Sequence, residues 1–132
     1  MKFIKSLKIT SLIAASLASH FAFAEVAVVV NPANGAALDQ AQVSKLFLGK
    51  DKTLTPLMQQ GSASDEFVEK ALSRSPSQYK AYWAKLAFTG GGRPPESAAA
   101  ADVLSKVSSD PGAIGVVDAS AVNDSVKVLF TL

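Results

Sequence analysis

The chain has 132 residues, of which 48% are hydrophobic, and this is enough for one domain with a single core. It has no cysteine, so the sequence excludes a disulfide framework, a thiol nucleophile and a cysteine-linked lipid anchor. The formal net charge of +2 becomes −1 without Lys2, Lys5 and Lys8, and a near-neutral chain with no basic run argues against nucleic acid as a partner.

The first 24 residues have the pattern of a secretory signal peptide. The three lysines form a basic start, residues 9–18 are a short apolar stretch, and Ala22-Phe23-Ala24 is a small-x-small cleavage site. A membrane anchor would need about 20 apolar residues, whereas serines interrupt this stretch. We therefore predict a mature single domain over 25–132, free in a bacterial periplasm and without stable membrane insertion.

The mature chain lacks the residues on which most enzyme mechanisms depend. Its only histidine, His20, leaves with the signal peptide, so neither His nor Cys remains as a metal ligand or catalytic base. A serine nucleophile would have to use Lys, Asp or Glu as its base, and the carboxylates are scattered rather than paired. The sequence therefore predicts a binding protein without metal or cofactor, with a hydrolase as the weakest alternative.

The mature chain opens with a strand and a helix. The valine-rich run over 25–30 predicts a strand buried on both faces of a parallel or mixed sheet. Asp39, with Gln42 three residues later, predicts a helix that begins with a capping box. Gly49 is placed to end this helix, and 54–58 is predicted as a second strand. The predicted buried face of the helix comprises Val43, Leu46 and Phe47.

Two more helices are predicted next. The first opens within 61–64, with Ser62 or Ser64 as its cap, and the second begins with a capping box of Ser75 and Gln78. The first is predicted to bury Phe67, Val68, Ala71 and Leu72. In the second, aromatic residues at helical spacing indicate core rather than a ligand platform, and the stripe comprises Tyr79, Tyr82, Trp83 and Leu86.

The glycine run Gly90-Gly91-Gly92 raises the question of a phosphate loop. A P-loop follows a strand and precedes a helix carrying Lys-Ser or Lys-Thr, whereas this run follows a helix, so we predict a helix end. Beyond it, a helix over 98–107 and strands over 113–117 and 126–130 complete the chain, with a single helical turn at 118–121. The inward residues of that helix are predicted to be Ala100, Val103, Leu104 and Val107. Strands and helices alternate, so the predicted class is α/β.

The best candidate for anion binding is Gly61-Ser62-Ala63-Ser64. This turn leads from a predicted strand into a helix N-terminus, where free N–H groups and two hydroxyls suit an oxyanion. The alternative is ordinary capping, since Asp65 already occupies the positive end of the helix. Arg93 is a further candidate because its planar fork matches an oxyanion, and its alternative is a solvated surface charge.

Several segments together resemble one known family. They are VVVNP, KLFLGK from Lys45, GSAS before Phe67, SRSPSQYKAYWAKLAFTGGGRPP from Ser73, and DPGAIGVVD from Asp110. The chain is similar over about Val28 to Val128 to the small periplasmic phosphate ABC-transporter substrate-binding-like (PBP-like domain) family. That family in turn resembles the second lobe of the periplasmic phosphate-binding protein. The resemblance implies a single type II lobe, a small mixed sheet flanked by helices.

The resemblance also implies a ligand and a site. The Gly-Ser-Gly-Thr part of the family's oxyanion loop falls on 61–64, which implies binding of phosphate or a related oxyanion in connection with uptake. The family's arginine and aspartate fall on Met58 and Gln60, so the charged partners that hold and discriminate phosphate are missing. One lobe leaves a ligand in water, so a homodimer, a membrane transporter or a porin would have to cover it. The alternative function is a ligand-free interaction module that docks to a transporter, porin or sensor.

Overall fold

The structure is a computed structural model that describes residues 25–132, and the predicted signal peptide over 1–24 lies outside the described residues. The described part forms five strands: β1 (Val26–Val30), β2 (Thr55–Gln59), β3 (Glu96–Ala98), β4 (Ala113–Asp118) and β5 (Lys127–Thr131). It also forms four α-helices, α1 (Gln40–Phe47), α2 (Ser62–Ala71), α3 (Pro76–Phe88) and α4 (Ala100–Ser109). A 3-10 helix follows β4 at Ala119–Ala121, where the sequence predicts a single turn.

The strands form one open mixed sheet in the order β3-β2-β4-β1-β5. β2 runs parallel to both β3 and β4, whereas β1 runs antiparallel to β4 and β5. All five residues of β1 are buried, as the valine-rich run predicts. The predicted α/β class and small mixed sheet flanked by helices are therefore confirmed.

Helices cover both faces of the sheet and divide the core in two. On one face α1 and α2 pack over Val28 and Met58, with the rings of Phe47 and Phe67 4.7 Å apart, and α3 joins this core through Tyr79 and Trp83. On the other face α4 packs over Val29 and Leu57 through Val103, Leu104 and Val107. Burial on both faces explains why β1 and β4 are continuous apolar runs rather than alternating ones.

The predicted capping boxes are confirmed at two helices. Asp39 accepts a hydrogen bond from the Gln42 backbone N–H and opens α1, and Ser75 does the same with Gln78 at α3. In each box the glutamine side chain accepts from the N-cap backbone N–H, so two donors that would lack a partner are bonded reciprocally. Local sequence alone therefore decides where α1 and α3 begin.

Glycines with positive φ end two helices, as predicted. Gly49 follows α1 with φ +76°, and Gly90 follows α3 with φ +77°. The run Gly90-Gly91-Gly92 is therefore a helix end that leads into an irregular segment, and not a loop between a strand and a helix. Gly49 also lies against the Trp83 ring, because a Cβ at this position would come within 2.6 Å of the ring.

Three sequence predictions are wrong in detail. Neither Ser62 nor Ser64 caps α2, because the N-cap residue is Gly61 and no side chain of residues 25–132 accepts a hydrogen bond from the N–H groups of the first turn. Ala98 belongs to strand β3 rather than to a helix, and α4 begins at Ala100, which is only half-buried. β3 contains no β-branched residue, so its strand conformation comes from pairing with β2 rather than from its own propensity.

Candidate functional site

The carboxyl ends of the three parallel strands meet at one edge of the sheet, the carboxyl edge, marked by Gln59, Ala98 and Asp118. After β2 the chain enters α2 on one face, and after β3 it enters α4 on the other face. Neighbouring strands whose connections leave to opposite faces create a crevice, which is where open α/β sheets bind ligands. The crevice between β2 and β3 is therefore the candidate site.

The predicted oxyanion loop lies at this crevice and opens α2. Gly61 is the N-cap with φ +94° and ψ −146°, a conformation that residues with a Cβ rarely adopt. Within residues 25–132 no side chain caps the helix, and the backbone N–H groups of Ser62, Ala63 and Ser64 bond no acceptor. Three donors and the positive end of the α2 dipole are thus open to a ligand.

The side chains of the loop differ in what they can do. The Ser62 side chain is exposed, whereas Ala63 is buried in the core against the sheet. The Ser64 hydroxyl donates to the Gly61 carbonyl oxygen at 2.9 Å, which removes its proton from use toward a ligand. Ser62 is therefore the hydroxyl of this loop that can donate to a ligand.

A second helix begins at the same edge without a side-chain cap. Ala99 is the N-cap of α4, and an alanine side chain has no acceptor for the first turn. Next to it, the Gln60 backbone N–H donates to the Ala98 carbonyl oxygen at 2.9 Å and ties the two loops together. Helices α2 and α4 therefore both direct uncapped N-termini to the carboxyl edge, from opposite faces of the sheet.

The charged side chains at this edge are acidic. Asp65 lies in the first turn of α2 and Asp102 in the first turn of α4, and Asp118 caps the 3-10 helix through the Ser120 N–H. Met58, at the position of the family's arginine, is 5% exposed and belongs to the core, and Gln60 is exposed and uncharged. An oxyanion here would meet backbone dipoles without a cationic side chain from this loop.

Arg93 does not belong to this site. It precedes β3, whose Glu96 pairs with Leu57 of β2, so it lies beside the start of β2. The loop at 61–64 follows the end of β2, four residue steps or about 13 Å away along the strand before the turn is added. The sequence leaves open whether the candidate Arg93 reaches Gly61–Ser64, and in the structure the two lie at opposite edges of the sheet.

Arg93 instead lines a cavity of about 680 Å³ at the other edge, the amino edge, where β2 and β3 begin. The wall of this cavity, called here the amino-edge pocket, is formed by the segments at 49–56 and 91–96, each a loop with the start of the strand that follows it. Its apolar lining comprises Leu46, Leu54, Pro56, Trp83, Pro94 and Pro95. The sequence analysis missed this pocket, because nothing in the local pattern indicates that these two loops face each other.

Hydroxyls of α3 bond the carbonyls at the end of α1, next to this pocket. Tyr79 donates to the Phe47 carbonyl oxygen and Tyr82 to that of Leu48, both at 2.6 Å. Burial raises the pKa of Tyr79 to about 12. The buried Trp83 indole N–H faces the Tyr79 hydroxyl and opposes part of that rise in pKa. Within residues 25–132, no acceptor lies in hydrogen-bond geometry to this N–H group.

Neither a metal site nor a membrane span is found in the described part of the chain. No three His, Cys, Asp or Glu residues within 25–132 are grouped so that they could hold a metal ion. Over the same range no helix has the length and apolar character that crossing a bilayer requires.

Comparison with known proteins identifies similar folds but assigns the chain to no family. Neither a protein-family model nor a curated protein matches the chain. Among solved structures it is similar to an ABC-type phosphate transport receptor from Vibrio cholerae, with 17% identity and a TM-score of 0.53. It is also similar to a protein from Clostridium perfringens described as a phosphate ABC transporter substrate-binding protein with bound phosphate (15%, 0.57), and to PstS from Borrelia burgdorferi (8%, 0.58).

These similarities cover 80% of this chain and 45%, 44% and 46% of the three structures, in the order given. The chain therefore matches less than half the length of each neighbour. At these levels of identity the likeness shows the fold alone, a lobe of the periplasmic-binding-protein type.

Proposed function

We propose that the mature chain, residues 25–132, is a periplasmic single-lobe binding protein that takes phosphate or a related oxyanion at the N-terminus of α2. The observation that carries the proposal is the uncapped first turn at Gly61, with three backbone N–H groups open beside an exposed Ser62 hydroxyl. The structural neighbours support this direction, since they include a phosphate transport receptor and a phosphate ABC transporter substrate-binding protein rather than enzymes.

The site would bind weakly by itself. Backbone N–H groups in contact with water gain little from electrostatic attraction, because the effective dielectric constant is high. Asp65 adds a like charge, and Met58 and Gln60 supply no cation. We therefore propose that a second surface covers the ligand in use, either a second copy of this chain or a membrane transporter or porin.

The test is a calorimetric titration of residues 25–132 with phosphate, sulfate and acetate at low ionic strength, where screening is least. We expect saturable heat with phosphate or sulfate, and a weaker response in Ser62→Ala. The matched control is Ser77→Ala, an exposed serine in the first turn of α3, a helix that Ser75 already caps. Absence of binding heat up to millimolar phosphate would contradict oxyanion binding by the isolated chain.

A second candidate function is a ligand-free interaction module that keeps the lobe and docks to a transporter, porin or sensor. Two observations favour it. Met58 fills the core where the resemblance implies an arginine, and Phe88 at the end of α3 is 93% exposed. An exposed phenylalanine is a suitable anchor for a protein partner.

One pair of variants separates the two functions. Ser62→Ala should weaken anion binding and leave partner capture unchanged, whereas Phe88→Ala should weaken capture and leave the anion titration unchanged. Capture is measured with the mature chain immobilised over solubilised envelope proteins, with each variant run beside the parent chain. If Phe88→Ala captures the same proteins as the parent, the docking function through this residue is wrong.

A further inference from the structure

We propose that the amino-edge pocket is a second ligand site, separate from the oxyanion loop, and that it binds a small monocarboxylate with an apolar body such as an aromatic ring. The site and its ligand class follow from the volume, the apolar floor and the two unpaired cations of the pocket. The proposal does not depend on the oxyanion function, because the two sites lie at opposite edges of the sheet.

The pocket has the size and floor of a small-molecule site. Its volume of about 680 Å³ lies within the range of about 300–1,000 Å³ that ligand pockets occupy. The floor takes its accessible apolar surface from Leu54, Pro56 and Pro94, whereas Leu46 and Trp83 are 1% and 6% exposed and contribute little. Gly49 closes one side against the Trp83 ring. An apolar ligand body would therefore replace water over leucine and proline surface, which is favourable.

Two cations line the pocket from different loops. Lys52 Nζ lies 3.9 Å from the point where a Cβ on Gly92 would be, so the lysine reaches across to the loop that carries Arg93. Gly92 has φ +111°, a conformation that favours glycine, and the missing side chain leaves the space next to this ammonium open. The lysine of one loop and the arginine of the other thus border the same cavity.

Both carboxylates of the wall are already bonded. Asp51 accepts from the Thr53 backbone N–H at 2.9 Å and from the Thr53 hydroxyl at 2.8 Å, and these bonds hold the pKa of Asp51 below its usual value. Glu96 pairs with Lys106 of α4. Within residues 25–132, Lys52, Arg93 and Asp51 are the charged groups of the lining without an ion-pair partner. Because Thr53 bonds the Asp51 carboxylate and Lys106 pairs with Glu96, the two cations remain available to an anionic ligand.

A carboxylate on an apolar body fits this combination. The planar guanidinium of Arg93 matches a carboxylate in a two-point contact, and the Lys52 ammonium adds a point charge. A fully hydrated dianion such as phosphate gains nothing from the leucine and proline floor, and an uncharged aromatic leaves both cations without a partner. The expected ligand carries one negative charge at one end and an apolar group at the other.

The experiment uses the mature chain and the fluorescence of Trp83, the only tryptophan of the sequence. The probe is phenylacetate, and the controls are phenylacetamide, which lacks the charge, and acetate, which lacks the ring. We expect a saturable change with phenylacetate and about tenfold weaker binding of each control, the factor that about 1.4 kcal/mol represents. Equal binding of phenylacetamide, or no saturation up to about 20 mM phenylacetate, would overturn the proposal.

Three variants locate the binding. Arg93→Gln and Lys52→Gln should each weaken phenylacetate binding about tenfold, since a charge-assisted hydrogen bond is lost. Lys80→Gln, an exposed lysine of α3 outside the pocket lining, removes the same charge and should leave binding unchanged. An equal loss in all three variants would mean non-specific attraction and would contradict the site.

Two further measurements keep the result interpretable. Arg93 and Lys52 are exposed, so both variants should unfold at the temperature of the parent chain, and thermal unfolding checks this. Ser62→Ala should bind phenylacetate as the parent does, because Ser62 lies at the other edge. If Ser62→Ala weakened phenylacetate binding as much as Arg93→Gln does, a single common site would replace the two sites proposed here.

Discussion

The helix ends at the two edges of the sheet are treated in opposite ways. At the amino edge the last carbonyls of α1 accept hydrogen bonds from Tyr79 and Tyr82, and those of α4 accept from the Asn31 amide. At the carboxyl edge α2 and α4 begin without any side-chain cap. Helices α1 and α3, which do not follow a parallel strand directly, begin with complete capping boxes.

The difference shows at which edge the backbone polar groups of the helix ends lack a partner within the fold. Backbone groups at helix ends need a partner, and a protein that supplies its own partner elsewhere but omits it at one edge leaves that edge to solvent or ligand. The charged side chains are distributed differently from the open backbone N–H groups. The cations Lys52 and Arg93 lie at the amino edge, whereas the aspartates Asp65, Asp102 and Asp118 lie at the carboxyl edge. Backbone dipoles and side-chain charges thus favour anions at different places.

Gly49→Ala should have the largest effect on stability, because Gly49 lies against the Trp83 ring at the amino edge. The new Cβ would lie 2.6 Å from the Trp83 ring, and the residue would have to keep φ +76°. Overpacking and left-handed strain together should lower the free energy of unfolding by about 2–4 kcal/mol. Chemical denaturation measures this, with Gly35→Ala as the control, since nothing lies within 4 Å of a Cβ there. Two variants of equal stability would contradict the contact.

Stability at high pH should reveal the Tyr79 contact at the same edge. Burial raises its pKa from 10.0 to about 12, so the fold favours the neutral phenol. The contribution is therefore fully present below pH 10 and is lost between pH 10 and about 12 at up to about 1.4 kcal/mol per pH unit. Tyr79→Phe should lose this part of the pH dependence relative to the parent, whereas Tyr82→Phe should keep it. Parallel curves for the parent and Tyr79→Phe would contradict the raised pKa.

Removing a helix-start serine should distinguish the two kinds of helix directly. Ser75→Ala deletes the cap of α3 and should lower the free energy of unfolding by about 1 kcal/mol. Ser62→Ala removes a hydroxyl that bonds nothing in the described part of the chain, and should stay within about 0.5 kcal/mol of the parent. Urea denaturation of both variants is sufficient. A larger loss in Ser62→Ala would show that Ser62 does cap α2.

The smallest expected effect concerns the negative charge at the start of α2. Asp65→Asn removes a negative charge from the first turn of α2, where an oxyanion would compete with it for the helix dipole. Phosphate affinity at low ionic strength should rise about two- to fivefold, corresponding to about 0.3–1 kcal/mol. Asp124→Asn, in the exposed loop before β5, is the control and should change nothing. An unchanged affinity in Asp65→Asn would place the anion elsewhere.

The sequence by itself determined the features that a few neighbouring residues control. The capping boxes at Asp39 and Ser75, the left-handed end at Gly49 and the buried run of β1 all follow from side-chain chemistry and backbone sterics within about one helical turn. The α/β class followed from the order of these signals. Such features are predictable because the interacting groups are close in the chain.

The site depended on contacts that the sequence does not express locally. Ser62 and Ser64 look like caps, yet the turn out of β2 places Gly61 in that position instead. Arg93 looks like a partner for this loop, but pairing of β3 with β2 puts it at the far edge. β3 itself and the amino-edge pocket arise only when segments about 40 residues apart in the chain pair and face each other, and only tertiary packing provides the free energy that holds them together.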